Sequence, residues 1–123
     1  MYENISIIGV GTYHPSKKVD NDFFIEHFKK KLGKDITDFL NDLGKKERYL
    51  VEDTTKENSL TMAVNAAKKA IENAGISVDQ LDMIVFVSDT PEYTAPTNAM
   101  FLNNILQAKN AHVVYDMNVN CVG

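Results

Sequence analysis

Tryptophan is absent from this 123-residue chain, cysteine occurs once, and proline and histidine occur three times each. One cysteine cannot close an internal disulfide, and three scattered histidines offer no structural zinc site, so no metal is expected. No apolar run approaches the roughly 20 residues that a membrane-spanning helix needs. Positive charge is not in excess: 13 Lys and Arg face 17 Asp and Glu, for a net charge of −4. A nucleic-acid binder needs a basic patch to neutralise phosphates, so that class is disfavoured. The beginning, Met1-Tyr2-Glu3-Asn4, runs straight into a strand pattern without a signal peptide's basic and apolar regions. Repeats, low-complexity tracts and flexible linkers are also missing. The simplest reading is one cytoplasmic domain over residues 1–123.

What is present is ordinary for a globular protein: 44% apolar and 24% charged residues. Between Lys17 and Glu57, ten basic residues are interleaved with ten acidic ones, which describes a solvated surface and not a docking stripe. Ile5–Tyr13 reads as a first strand, apolar and β-branched, closed by Pro15. Gly9 and Gly11 lack the third glycine of a dinucleotide fingerprint, so close backbone packing explains them better. Asn21 is the expected N-cap of a helix with Phe24, Ile25, Phe28 and Leu32 on one face, stopped by Gly33. A short helix over Ile36–Leu43 is expected to bury Ile36, Phe39, Leu40 and Leu43, with Gly44 as terminator. Lys45–Val51 reads as a charged loop entering a short extended piece.

The clearest helix runs from about Glu57 to Ala74, with Leu60, Ala63, Val64, Ala67, Ile71 and Ala74 on one face. Thr54 and Glu57 have capping-box spacing, and Asn58 is the other candidate cap. Gly75 suits the left-handed position after the helix. Met83–Val87 is apolar on both faces, as in a covered parallel sheet. Thr97 is expected to cap a helix through Ala99, Leu102, Ile105 and Leu106, and a last strand spans Val113–Met117. Helix and strand in alternation imply βαβ crossovers and a layered α/β fold.

Cys121 follows that last strand. A helix N-terminus beyond such a strand favours the reactive thiolate, but no helix follows within the sequence, so the chain reads as the first half of an enzyme. On composition alone, a lone cysteine is more often a buried structural thiol. His14, His27 and His112 read as turn, exposed-helix and strand-end residues, and Asp116 as a residue hydrogen-bonded at a strand end. None of these four is expected to act as a catalytic base.

Several pieces in order change the weight given to Cys121. They are Ile8-Gly9-Val10-Gly11-Thr12-Tyr13-His14-Pro15, Asn21, Gly44-Lys45-Lys46-Glu47-Arg48, and Ala74-Gly75-Ile76. Ile84-Val85-Phe86-Val87, Ala95-Pro96-Thr97, and Asp116 with Cys121-Val122-Gly123 complete the set. In this order the chain resembles the N-terminal half of β-ketoacyl-acyl-carrier-protein synthase III, a condensing enzyme of the thiolase superfamily. The resemblance implies a layered αβαβα architecture, of which this would be the N-terminal half. It implies a homodimer that moves an acyl group from acyl-CoA onto Cys121 and condenses it with malonyl-acyl-carrier protein, in fatty-acid or related acyl-chain biosynthesis. No cofactor beyond the acyl-CoA substrate is implied, nor any nucleic acid or membrane partner.

Two departures from the pattern bear on substrate. The family commonly carries a tryptophan and an arginine shortly before the glycine matched by Gly44, and they hold the CoA adenine and phosphates. Here Asp38–Leu43 contains acids, which repel phosphate, leaving Arg48, with Lys45 and Lys46, as the candidate phosphate contact. Ala95 stands where many members have a phenylalanine reaching into the partner subunit's acyl pocket, so a longer or branched primer is expected. Three alternatives stay open: a non-catalytic thiolase-like binding module, a hydroxymethylglutaryl-CoA synthase, or a secondary-metabolite condensing enzyme. Alone, this chain is expected to be inactive.

Overall fold

A computed structural model describes residues 4–119 of the chain. The backbone divides into two compact units, one formed by the chain up to Tyr13 and from Thr55 onward, the other by His14–Thr54.

The His14–Thr54 unit holds strand β1 (Lys17–Asp20), helix α1 (Asn21–Leu32), helix α2 (Thr37–Asp42) and strand β2 (Glu47–Leu50). β1 and β2 pair antiparallel, Lys17 opposite Leu50 and Asp20 opposite Glu47. β1 is too charged to be read as a strand from its sequence. The pairing suits it because Lys18 meets Glu47 at 2.6 Å and Lys17 meets Glu52 at 3.1 Å. Both ion pairs are exposed and add little stability. The N-cap of α1 is Asp20, whose carboxylate accepts from the Phe23 amide at 3.1 Å, and not Asn21 as the sequence suggested. Gly33 ends the helix with φ 63°, the left-handed conformation expected of it.

α2 is the six-residue core of the helix expected over Ile36–Leu43, and it buries only Leu40. Phe39 and Leu43, expected inside, are 62% and 49% exposed. Fewer than two turns present a single position inward, and Phe39 lies about 100° around the axis from Leu40.

The second unit carries helix α3 (Ser59–Ala74), strand β3 (Met83–Val87), helix α4 (Asn98–Leu106) and strand β4 (Val113–Met117), with a 3-10 turn at Val78–Gln80. β3 and β4 pair in parallel, Met83 opposite Val113 and Val87 opposite Met117, so β3–α4–β4 is the βαβ crossover the sequence pattern implied. Leu60 and Val64 of α3, Ile84 and Phe86 of β3, and Ala99, Leu102 and Leu106 of α4 form the core, with Ala63, Ala67 and Ile71 packed against it. These α3 positions are the helical stripe read from the sequence. The cap of α3 is Asn58, not Thr54. Its side chain accepts from the Thr61 amide at 2.9 Å while the Thr61 hydroxyl accepts from the Asn58 amide at 2.8 Å. Gly75 closes the helix at φ 66°.

Two expectations need correction. β3 is covered on one face only: Ile84 and Phe86 are buried, while Met83 and Val87 are 53% and 49% exposed. Ile5–Tyr13 makes no strand pairing among the described residues and lies along α3 instead. Val10 O accepts from Asn73 Nδ2 at 2.8 Å, and Thr12 O from Lys69 Nζ at 3.1 Å. Gly9 and Gly11 permit that approach. A Cβ on Gly9 would stand 2.5 Å from Ala70 O and 2.6 Å from Ala74 Cβ, and one on Gly11 would meet Ala66 O and Ala70 N. Close packing does account for both glycines, though against a helix and outside a strand.

Candidate functional site

The strand that leads toward Cys121 is anchored by its only charged residue. Asp116 is the fourth residue of β4, opposite Phe86, and it is partly buried in an otherwise apolar strand. One carboxylate oxygen, Oδ1, accepts from the Ala99 amide at 2.7 Å. The other, Oδ2, accepts from the Asn98 amide at 2.8 Å and from Asn98 Nδ2 at 2.9 Å. A carboxylate at the start of a helix satisfies amides that have no partner inside the helix and meets the positive end of its dipole. Burial is the largest single influence on this carboxyl and works against its charge. The bonds from the Asn98 side chain and the Ala99 and Asn98 amides together outweigh it and hold the group below the usual carboxylate range.

Thr97 occupies the N-cap position of α4, but its side chain makes no capping bond, and its buried hydroxyl has no partner among the described residues. The cap comes from Asp116, nineteen residues later. The reading of Asp116 as a hydrogen-bonded strand-end residue agrees with its geometry.

Asn98 completes the arrangement, and it is wholly inaccessible to solvent. Its Oδ1 accepts from the Glu92 and Tyr93 amides at 3.1 and 3.2 Å, and its Nδ2 donates to Tyr93 O at 2.9 Å as well as to Asp116. The segment of residues 88–97, between β3 and α4, is therefore fastened at its centre. The Tyr93 ring rests 4.7 Å from that of Phe101, and Ser88 N donates to Met117 O at 3.2 Å. Sequence reasoning missed Asn98. Its one available signal was a polar side chain at the start of an apolar helical face, immediately before Ala99.

Ala95 lies exposed in this same segment, between Tyr93 and Asn98, and is joined to Pro96 by a cis peptide bond. Arg48 sits on β2 in the other unit. Its Nη1 donates to Asn21 Oδ1 at 2.7 Å, and its guanidinium lies 5.0 Å from the centre of the Phe24 ring. Asn21, expected to cap α1, instead orients this arginine. Cys121 lies outside the described residues.

The histidines are placed separately. His14 stacks on Tyr49 at 3.7 Å with Nδ1 at 3.1 Å from Pro15 O. His27 sits between Phe23 and Phe28, and His112 is exposed before β4. A cavity of about 480 Å³ opens beside β3, lined by Tyr13, Ser59, Met62, Val85, Phe86 and Leu102 among others. The Tyr13 hydroxyl there donates to Glu57 at 2.5 Å, which raises the tyrosine's pKa. Among the described residues no cluster of His, Cys, Asp or Glu is placed to hold a metal ion, and no helix is long and apolar enough to cross a membrane.

No protein-family model matches the chain. Individual proteins do. The β-ketoacyl-[acyl-carrier-protein] synthase III of Clostridium perfringens is 35% identical over 121 residues, covering 98% of this chain and 35% of the relative. That of Ehrlichia canis is 34% identical over 119 residues, covering 95% and 34%. The crystal structure of 3-oxoacyl-[acyl-carrier-protein] synthase III from Aquifex aeolicus superposes with a TM-score of 0.76 at 31% identity, over 95% of this chain and 35% of that one. The priming β-ketosynthase of the R1128 polyketide pathway gives a TM-score of 0.79 at 25% identity, over 95% and 33%. This chain thus spans about a third of the length of the relatives it matches. Over nearly all of its own length it is similar to β-ketoacyl-acyl-carrier-protein synthase III, and its fold is that of the thiolase-like condensing enzymes.

Proposed function

We propose that this chain is the amino-terminal part of a condensing enzyme of the β-ketoacyl-acyl-carrier-protein synthase III type. The observation that carries the reading is the similarity at 31–35% identity over 95–98% of the chain, in sequence and in backbone. In the reaction, the Cys121 thiolate attacks the carbonyl carbon of an acyl-CoA. The tetrahedral oxyanion collapses with loss of the CoA thiolate, leaving an acyl group on the sulfur as a thioester. That acyl-enzyme is then condensed with malonyl-acyl-carrier protein, which loses carbon dioxide. Cysteine suits the first step because sulfur is both a good nucleophile and a good leaving group. A helix N-terminus following Cys121 in the complete enzyme would favour the thiolate, and the cysteine's own backbone N–H could serve the oxyanion.

In this reading Ala95 borders the partner subunit's acyl pocket, and its small side chain leaves room there for a longer or branched primer. Arg48, oriented by Asn21 and Phe24, contacts CoA phosphates. The enzyme works as a cytoplasmic homodimer without a cofactor, metal or nucleic acid, and the parts that complete the site lie in the remaining two thirds of the relatives' length. The test is intact-mass detection of acyl transfer to Cys121 from a panel of acyl-CoAs, in the full-length protein and in this chain. Transfer to the full-length protein only, lost in Cys121→Ala, is the expected result. If no acyl-CoA or acyl-carrier donor labels Cys121 in either, the condensing reading falls and a non-catalytic binding module takes its place. In the same assay, Ala95→Phe is expected to shift preference toward the shortest primers, and a strict acetyl preference in the unsubstituted enzyme would overturn the role given to Ala95.

A further inference from the structure

We propose that Asn98 is a positioning residue for acyl transfer: through Asp116 it ties the segment that carries Ala95 to the strand that leads to Cys121. The inference rests on the condensing reading above and deepens it.

Helix α4 does not need the Asn98 side chain for its cap. The helix's first amides are already served, those of Asn98 and Ala99 by Asp116 and those of Met100 and Phe101 by Thr97 O at 3.1 and 3.4 Å. The Asn98 side chain adds nothing to that cap. Its Oδ1 faces outward from the helix to the Glu92 and Tyr93 amides, and its Nδ2 spans Tyr93 O and Asp116. A primary amide has two donor hydrogens and an acceptor with two lone pairs, and all four are used. No other side chain of this size can do the same. Aspartate would set a second carboxylate against Asp116, and an apolar residue would leave two amides and a carbonyl without their bonds and take one of three from Asp116. A fully satisfied buried network of this kind fixes one geometry. Here it fixes Tyr93 two residues before Ala95 and Asn98 three residues after it. The same network holds Asp116, five residues before Cys121. The segment that offers Ala95 to the partner subunit's acyl pocket and the strand that leads to Cys121 are thereby set against one frame.

The experiment uses the full-length protein with Asn98→Ala, Asn98→Asp, Asn98→Asp paired with Asp116→Asn, and Asn103→Ala as a control on the same helix. Amide hydrogen exchange, thermal midpoints, and kcat and KM across acyl-CoA lengths are measured well below each midpoint. Asn98→Ala is expected to speed exchange at the Glu92 and Tyr93 amides by about fivefold or more. It is also expected to raise KM about tenfold for the preferred primer and flatten the acyl-length profile, while the control leaves both unchanged. The paired substitution removes the carboxylate clash and should recover part of the loss in Asn98→Asp. Unchanged exchange at Glu92 and Tyr93, or faster exchange with the unsubstituted acyl-length profile retained, overturns the proposal. Absence of acyl transfer in the unsubstituted protein instead overturns the condensing reading, and this role for Asn98 with it.

Discussion

Asp116 shows how one charged residue can be both costly and indispensable. Placing a carboxylate in an apolar strand is unfavourable unless each oxygen finds donors, and here three N–H groups supply them. Asp116→Ala leaves the Asn98 and Ala99 amides unpaired at a helix start, and a loss of about 2–4 kcal/mol is expected in urea unfolding. The pH dependence has a fixed sign. The folded carboxyl titrates below its unfolded value, so its contribution is complete above about pH 4 and disappears as the pH falls through the lower, folded value. The unsubstituted protein should therefore lose stability more steeply below pH 4 than Asp116→Asn does. Equal slopes would show that the carboxylate is not held by these bonds. Asp116 was legible as a hydrogen-bonded residue because a lone acid in an apolar strand needs partners. Its partners were not, since Asn98 is eighteen positions away.

At the scale of elements, helix ends separate local chemistry from tertiary choice. Gly33 and Gly75 end α1 and α3 as expected, because left-handed backbone favours glycine wherever the helix lies. N-caps were harder to assign, since adjacent polar residues compete for each one. Asp20 won over Asn21, Asn58 over Thr54, and the distant Asp116 displaced the hydroxyl of Thr97. Asn58→Ala should cost about 1 kcal/mol by denaturant midpoint, whereas Thr54→Ala should stay within about 0.5 kcal/mol. The reverse order would restore the Thr54 box. Ile5–Tyr13 carries the same lesson: strand composition cannot supply a strand partner, and this segment's carbonyls go to Asn73 and Lys69. Gly11→Ala should push the segment off α3, at a cost of about 1–3 kcal/mol, and weaken protection of α3 against hydrogen exchange. A neutral outcome would mean that the segment does not pack there.

For the whole molecule, apolar residues left at the surface are informative. Ile5, Ile7, Ile8 and Val10 are between 62% and 86% exposed, and Val113, Tyr115 and Met117 on one face of β4 are 44%, 39% and 41% exposed. Apolar surface on this scale favours association. Sedimentation of this chain by itself should show concentration-dependent assemblies, which the full-length protein should replace with a single defined species. A strictly monomeric chain at about 100 μM would contradict that expectation.

What the sequence by itself determined is the part governed by near neighbours. The helical stripe of α3, the apolar runs of β3 and β4, the glycine stops and the βαβ alternation are periodic or local, so 3.6- and 2-residue patterns reveal them. The ordered set of short pieces from Ile8 to Cys121 also carried the likeness to condensing enzymes, which no single piece did. Tertiary structure alone decided which polar group serves which backbone. It gave the cap of α4 to Asp116, turned Asn98 toward Glu92 and Tyr93, paired charged β1 with β2, and laid Ile5–Tyr13 on a helix. Hydrogen bonds are short-range and satisfied once, so their pairing depends on which groups the packed core brings within about 3 Å of each other.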